Sequence, residues 1–246
     1  MHTLQVKRSP GEIEVAPDRS WRDLYRAGGI SAVLFVVLVL AAIAIVVAPP
    51  PLNADGATTL QYVASHKVLY TIEQVLWLAP SVFAAVVFLA LFPALKHLNK
   101  SYAALGTFAG FVSWVLGLAI PTTGGGAPVL VYLSDQYMTA ATAAQHTAFA
   151  TAAEVYIAGN NITSAAGILA PVGILILSLV MLRGVFPKGV AYLGIATGVL
   201  GIISEALRPL IGPGYFVYGL LLPTWFLLVG WKLYQLARNS RLLEEQ

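Results

Sequence analysis

Residues 29–48 read GISAVLFVVLVLAAIAIVVA. A helix of that length without a single charge is about 30 Å long, which is the thickness of a bilayer's hydrocarbon core. A secretory signal has a shorter apolar run, of about 7 to 15 residues. The basic residues ahead of the run, Arg19, Arg22 and Arg26, therefore flank a retained anchor. Pro49, Pro50 and Pro51 stop the helix, because proline lacks the amide donor and clashes with the preceding turn.

Five further runs of the same kind follow, at residues 68–92, 102–120, 162–182, 189–207 and 214–234. The chain is 58% hydrophobic and 10% charged, against about 25% charged in soluble domains. Its mean hydropathy is +0.79, and the apolar residues come in blocks rather than with an amphipathic period, so the lipid bilayer is the expected solvent and first partner. The net charge is +3. The basic residues stand between apolar runs, which assigns them to membrane topology and not to a nucleic acid. The absence of cysteine excludes disulfides, thiol catalysis and thiolate metal sites.

Orientation follows from the basic residues. With the N-terminus inside, Lys7, Arg8, Arg19, Arg22, Arg26, Lys96, Lys100, Arg183, Lys188, Lys232, Arg238 and Arg241 are cytoplasmic, and only Lys67 and Arg208 are outside. Residues Ser134 to Ala158 are helical by propensity and nearly long enough to cross. Counting them as a span would move Arg183, Lys188, Arg238 and Arg241 outside, and Gln145, His146 and Glu154 would meet lipid. They are read as an outer-surface or partly embedded helix that breaks or bends at Gly159-Asn160-Asn161 and feeds span four. The expected fold is thus all-α, a polytopic transmembrane bundle of about six spans with an extra outer-side helix before span four. Residues 1–28 and 235–246 form cytoplasmic ends, and a cell (inner) membrane is the expected location.

Ionisable groups inside spans are costly and so are informative. His66, Tyr70, Glu73 and Trp77 follow one another at four, three and four residues and share a face of the second helix, with Gln74 beside them. Thr147, Thr151, Glu154 and Asn161 share another face if the helix continues through Gly159. Glu205 and Arg208 are three apart and can pair. Arg208 is also the only arginine on the outer side available to Glu73, so an ion network of Glu73, Glu205 and Arg208 is expected. All these groups fall in the outer half of the bundle, and the candidate ligand-binding residues are His66, Tyr70, Glu73, Trp77, Glu154, Asn161, Glu205 and Arg208. The bland alternative is a set of wetted interfacial groups that pin helix ends.

A metal or haem would draw on His66 and His146, but neither stands in a His-x-x-x-His or Glu-x-x-His spacing, so no cofactor is predicted. There is no Gly-x-Ser-x-Gly elbow or P-loop, and no catalytic residue can be nominated. Thr122-Thr123-Gly124-Gly125-Gly126 reads as a flexible outer loop. Small-residue stripes at Gly106, Gly110, Ser113 and Gly117 and at Gly194, Gly198 and Gly201 are expected to bring helix backbones together, within one chain or between two copies. Pro80 and Pro171 are kinks with no symmetry between them.

The stretch Leu182-Arg183-Gly184-Val185-Phe186-Pro187-Lys188, followed by Tyr192-Leu193-Gly194-Ile195-Ala196-Thr197-Gly198-Val199-Leu200-Gly201, resembles the re-entry loop and next helix of a prokaryotic membrane family, domain of unknown function 4386. Tyr25-Arg26-Ala27-Gly28-Gly29 and the order of spans resemble it more loosely. The resemblance implies a six-helix bacterial or archaeal membrane protein and carries no activity. On the residues themselves, the favoured class is a non-catalytic accessory subunit or small-amphiphile-binding component. Such a protein would have a polar pocket in the outer half of the bundle, and its partners would be lipid, another membrane protein or a second copy. The alternatives are a proton- or solute-coupled transporter using Glu73 and a membrane-embedded enzyme acting on lipid.

Overall fold

The computed structural model describes residues 19–45, 55–119, 127–160, 165–184 and 186–242. Helices α1 (Arg22–Ile45), α3 (Lys67–Leu95), α4 (Lys100–Ala119), α7 (Ala165–Met181), α8 (Lys188–Ala206) and α10 (Tyr215–Leu242) correspond to the six apolar runs. Five of them are long and apolar enough to cross a membrane. The sixth, α7, has 17 residues, or about 26 Å of helix, at the lower limit for a span. The chain is a multi-pass helical membrane protein.

The six helices form a closed ring. Helix α1 packs on α3, α3 on α4, α4 on α7, α7 on α8 and α8 on α10, and α10 returns to α1. The outward faces are apolar: Phe108 is 67% exposed and Trp231 64%, a distribution that suits lipid and not water. Inside, Phe35 stacks on Phe226 at 4.1 Å between ring centroids, and Trp114 meets Phe35 edge-on at 5.5 Å. Phe88 and Trp225 complete this aromatic centre.

Both small-residue stripes pack within the chain. A Cβ on Gly173 would lie 2.6 Å from the Gly110 amide nitrogen and 2.7 Å from the Gly106 carbonyl oxygen, so α4 and α7 meet backbone to backbone. On α8, a Cβ at Gly198 would lie 2.7 Å from Leu175 Cβ and one at Gly201 2.6 Å from both Pro171 Cβ and the Tyr218 ring. Such contact gives dispersion energy that burial from water cannot supply in a membrane.

At the end of the ring where α3 begins lies a second layer, of α2 (Gly56–Ser65), α5 (Ala127–Thr139) and α6 (Ala143–Asn160). These helices pack on one another around Leu60, Leu130, Leu133 and Ala153. The sequence reading anticipated one helix here, breaking at Gly159-Asn160-Asn161. Helix α6 does end at Asn160, but a further break at residues 140–142 divides the segment into two helices. A capping box causes it: Gln145 Oε1 accepts from the Ala141 and Thr142 amides at 2.9 and 3.2 Å, and Thr142 Oγ1 accepts from the Gln145 amide at 3.2 Å. Helix α2, unanticipated, starts where Asp55 Oδ1 accepts from the Thr58 amide at 2.7 Å. Lys67 at the head of α3 donates to Asp135 of α5 at 2.7 Å, which ties the layer to the ring.

Candidate functional site

Between α8 and α10 the chain turns through α9 (Arg208–Ile211) and a short 3-10 turn, Gly212–Gly214. Gly212 has φ +50 and ψ −129, a left-handed backbone that favours glycine. This turn swings the start of α10 back toward the end of α8. Tyr215 thereby meets both members of the Glu205–Arg208 pair. Its hydroxyl donates to Glu205 Oε1 at 2.6 Å and accepts from Arg208 Nη2 at 2.8 Å, and Nη2 also lies 2.9 Å from both Glu205 oxygens. Glu205 is 4% exposed, so its charge depends on this partnership. On the α7 side, a Cβ at Gly167 would come 2.6 Å from Glu205 Oε2, so glycine makes the room for the carboxylate.

The triad forms one wall of a cavity of about 320 Å3 inside the ring, at the end that carries the second layer. All six ring helices contribute. The floor is aromatic, from Phe35 and Trp114 of the ring's centre, and Trp77, Ser81 and Ser113 add to the sides. The Ser113 hydroxyl donates to the Ala166 carbonyl, which fastens α4 to α7 at the rim. Ile43, Phe216 and Leu220 line the cavity yet are exposed, at 45, 60 and 55%, so it reaches the outward, apolar side of the α1–α10 pair. Pro80 and Pro223 line it as well, and Pro223 deprives the Gly219 carbonyl of its helical donor. Two of the residues that line it, Trp114 and Arg208, have a buried donor, Nε1 and Nε, with no hydrogen-bond partner among the described residues. Thr107 Oγ1, Ser178 Oγ and Trp225 Nε1, which do not line the cavity, are likewise buried without a partner among the described residues.

The residues nominated from sequence do not converge on one pocket. Trp77, Glu205 and Arg208 line the cavity. The others belong to the second layer or its junction with the ring. His66 ends α2 and precedes α3, and its backbone, φ −125 and ψ 28, interrupts the helix on which it was expected to share a face with Glu73. Its ring stacks on Tyr62 at 4.5 Å, with Nδ1 3.1 Å from the Tyr62 carbonyl oxygen and 2.9 Å from Ser65 Oγ. Tyr70 packs against the core of the second layer. Glu154 Oε1 accepts from the Gly56 amide at 3.1 Å and so caps α2 from α6. His146 sits edge-on to Tyr137 at 4.7 Å, and no group of three or more His, Asp or Glu suited to a metal occurs among the described residues. Asn161 lies outside the described residues.

The expected network of Glu73 with Arg208 is not formed. Glu73 Oε1 accepts from Trp77 Nε1 at 3.4 Å, while Arg208 is engaged by Glu205 and Tyr215. Glu73 faces the second layer: the Tyr62 phenol is raised above its usual pKa, first by burial and then by the Glu73 carboxylate. The physical reason is Tyr215, which joins Glu205 in engaging the Arg208 guanidinium and leaves Glu73 to the Trp77 indole. Glu73 reaches the cavity only through the indole of Trp77. The sequence reading passed over Tyr215, whose signal was the Gly-Pro-Gly turn that seats it opposite Glu205, and Trp114, which gave none.

Residues 28–238 match a protein family described as Domain of unknown function (DUF4386). The chain belongs to this family. The match runs from within α1 to within α10 and takes in the second layer, so cavity and triad lie within the family's domain. Neither the curated proteins nor the solved structures give a match.

Proposed function

We propose that this protein is a non-catalytic membrane component that binds a small uncharged amphiphile in the cavity of its ring. The observation that carries the reading is the charge-balanced Glu205–Arg208–Tyr215 triad, a polar wall in a cavity whose remaining lining is largely apolar. The Arg208 charge is already balanced by Glu205, so the wall offers hydrogen bonds without a net charge. A head bearing acceptor oxygens, such as an ester or alcohol, would satisfy it, whereas an anionic head would meet the Glu205 carboxylate. The exposed Ile43, Phe216 and Leu220 would take the start of an apolar tail. A volume of about 320 Å3 suits a small ligand. The basic residues support an orientation with the triad end outside and both helix α1's start and α10's end in the cytoplasm of a prokaryotic cell.

The test uses the indoles of Trp77 and Trp114 as reporters. A monoacylglycerol brominated on its chain should quench part of the tryptophan fluorescence of the purified protein saturably, and the fatty acid of the same chain should quench more weakly. Trp114→Phe, combined with Ser113→Leu to fill the space, should abolish the saturable component. Linear, non-saturating quenching in the wild type sinks the proposal.

A further inference from the structure

We infer that the opposite end of the ring holds a second site, a cleft between α1 and α10 that receives the phosphate of an anionic phospholipid. The cleft, of about 400 Å3, is lined by Arg22 and Arg26 of α1 and by Tyr234, Ala237 and Arg238 of α10. Three guanidinium groups from two helices share it, and no carboxylate is among the described residues that line it. Arg22 has an ion pair of its own with Asp23, at 3.6 Å, on the solvent side. Arg26 and Arg238 come to the cleft from different helices, and a phosphate with its several acceptor oxygens is the group that guanidinium forks match. Positive-inside topology explains why basic residues are present at this end but not why three of them converge on one cleft.

What lies beneath the arginines indicates that the phosphate is carried by a lipid. On α1, Arg22, Arg26, Ile30, Val33 and Val37 follow one another at four, four, three and four residues, so the two basic residues head an apolar stripe, and Ile30, Val33 and Val37 are exposed. On α10, Arg238, Tyr234, Trp231 and Leu227 form the matching stripe, also exposed. The helices are drawn together between the stripes: a Cβ on Gly29 would come 3.0 Å from both the Gly230 carbonyl oxygen and Tyr234 Cβ. The result is a shallow groove with a cationic head, an aromatic collar at Trp231 and Tyr234, and an apolar length. Exposed tryptophan and tyrosine mark the headgroup level of a membrane. A phospholipid has the same three zones in the same order.

The experiment is native mass spectrometry of the full chain, delipidated in detergent and titrated with phosphatidylglycerol or phosphatidylcholine of identical chains. Wild type should retain phosphatidylglycerol at least about tenfold more tightly, the scale set by losing one charge-assisted contact. Arg26→Gln with Arg238→Gln should remove that preference, and Arg26→Lys with Arg238→Lys should keep most of it, which separates lost charge from lost folding. In parallel, thermal unfolding is followed with inorganic phosphate against chloride at equal ionic strength. Stabilisation by phosphate without any preference between the two lipids would overturn the lipid assignment. Equal retention of both lipids by wild type and the Gln variant, with no effect of phosphate, would overturn the site itself.

Discussion

Tyr215→Phe deletes one oxygen and tests whether the triad is a cooperative unit. The hydroxyl donates to Glu205 at 2.6 Å and accepts from Arg208 at 2.8 Å. A hydrogen bond to a charged group contributes roughly 1.5 to 3 kcal/mol. The variant loses two such bonds but leaves Glu205 and Arg208 paired at 2.9 Å, so the loss should resemble one bond more than two. About 2 kcal/mol is expected, a fall in Tm of about 4 to 8 °C for a chain of this size. Glu205→Gln leaves the Arg208 guanidinium buried without a counter-charge and should cost more, about 3 to 5 kcal/mol. Thermal unfolding in detergent, followed by tryptophan fluorescence, measures both. A Tyr215→Phe midpoint equal to wild type, or a Glu205→Gln loss no greater than that of Tyr215→Phe, would refute the view that the three side chains act as one unit.

Other expectations are open to direct measurement. Gly194→Ala should destabilise by about 1 to 3 kcal/mol, because a Cβ there would run into Ser178 Oγ and Trp225 Nε1 in the ring's core; chemical denaturation checks this. Glu73→Gln and Arg208→Ala should give stability losses that add within about 0.5 kcal/mol, since the structure separates the two residues, and a double-mutant cycle would expose any coupling. Glu154→Ala should loosen the second layer alone, seen as faster hydrogen exchange at the Gly56 amide and through α2 with the ring's protection unchanged. Asp55 is held below its usual pKa mainly by its hydrogen bond from the Thr58 amide. Its contribution to α2 should therefore be complete above the ordinary carboxylate range and lost as pH falls through its lowered value, read from the same exchange profile.

The spans were legible because a hydrocarbon solvent imposes a length on every helix that crosses it, and runs such as residues 68–92 announce themselves. The glycine stripes were legible for a related reason, since close backbone approach demands small side chains at helical spacing. The second layer was harder. Its helices are short, and the Thr142 to Gln145 capping box that divides α5 from α6 was overlooked in an alanine-rich run that reads as continuous. The site was only half visible. Glu205 and Arg208 are near in sequence, and a spacing of three suffices to pair them. The contribution of Trp114 depends on which helices face each other around the ring, a relation no local pattern contains. The link between Glu73 and Arg208 failed for the same reason: a sequence shows which charges lie at one membrane depth but not which partner each will meet there.

The ring closes between its first helix and its last, through the Phe35–Phe226 stack and the Gly29–Gly230 approach. During synthesis at the translocon, α1 must therefore wait in lipid, with that seam uncovered, until every other ring helix has been inserted. A ribosome stalled before α10 would leave an open horseshoe whose free edges, α1 and α8, lack the partners that complete them. Such an intermediate exposes a face made for close helix contact and is the form that membrane quality-control proteases or a second unfinished chain would encounter. Late-acting lesions, such as a charge introduced at Phe226, should thus reduce the amount of protein made far more than the same charge on the lipid-facing side of α10.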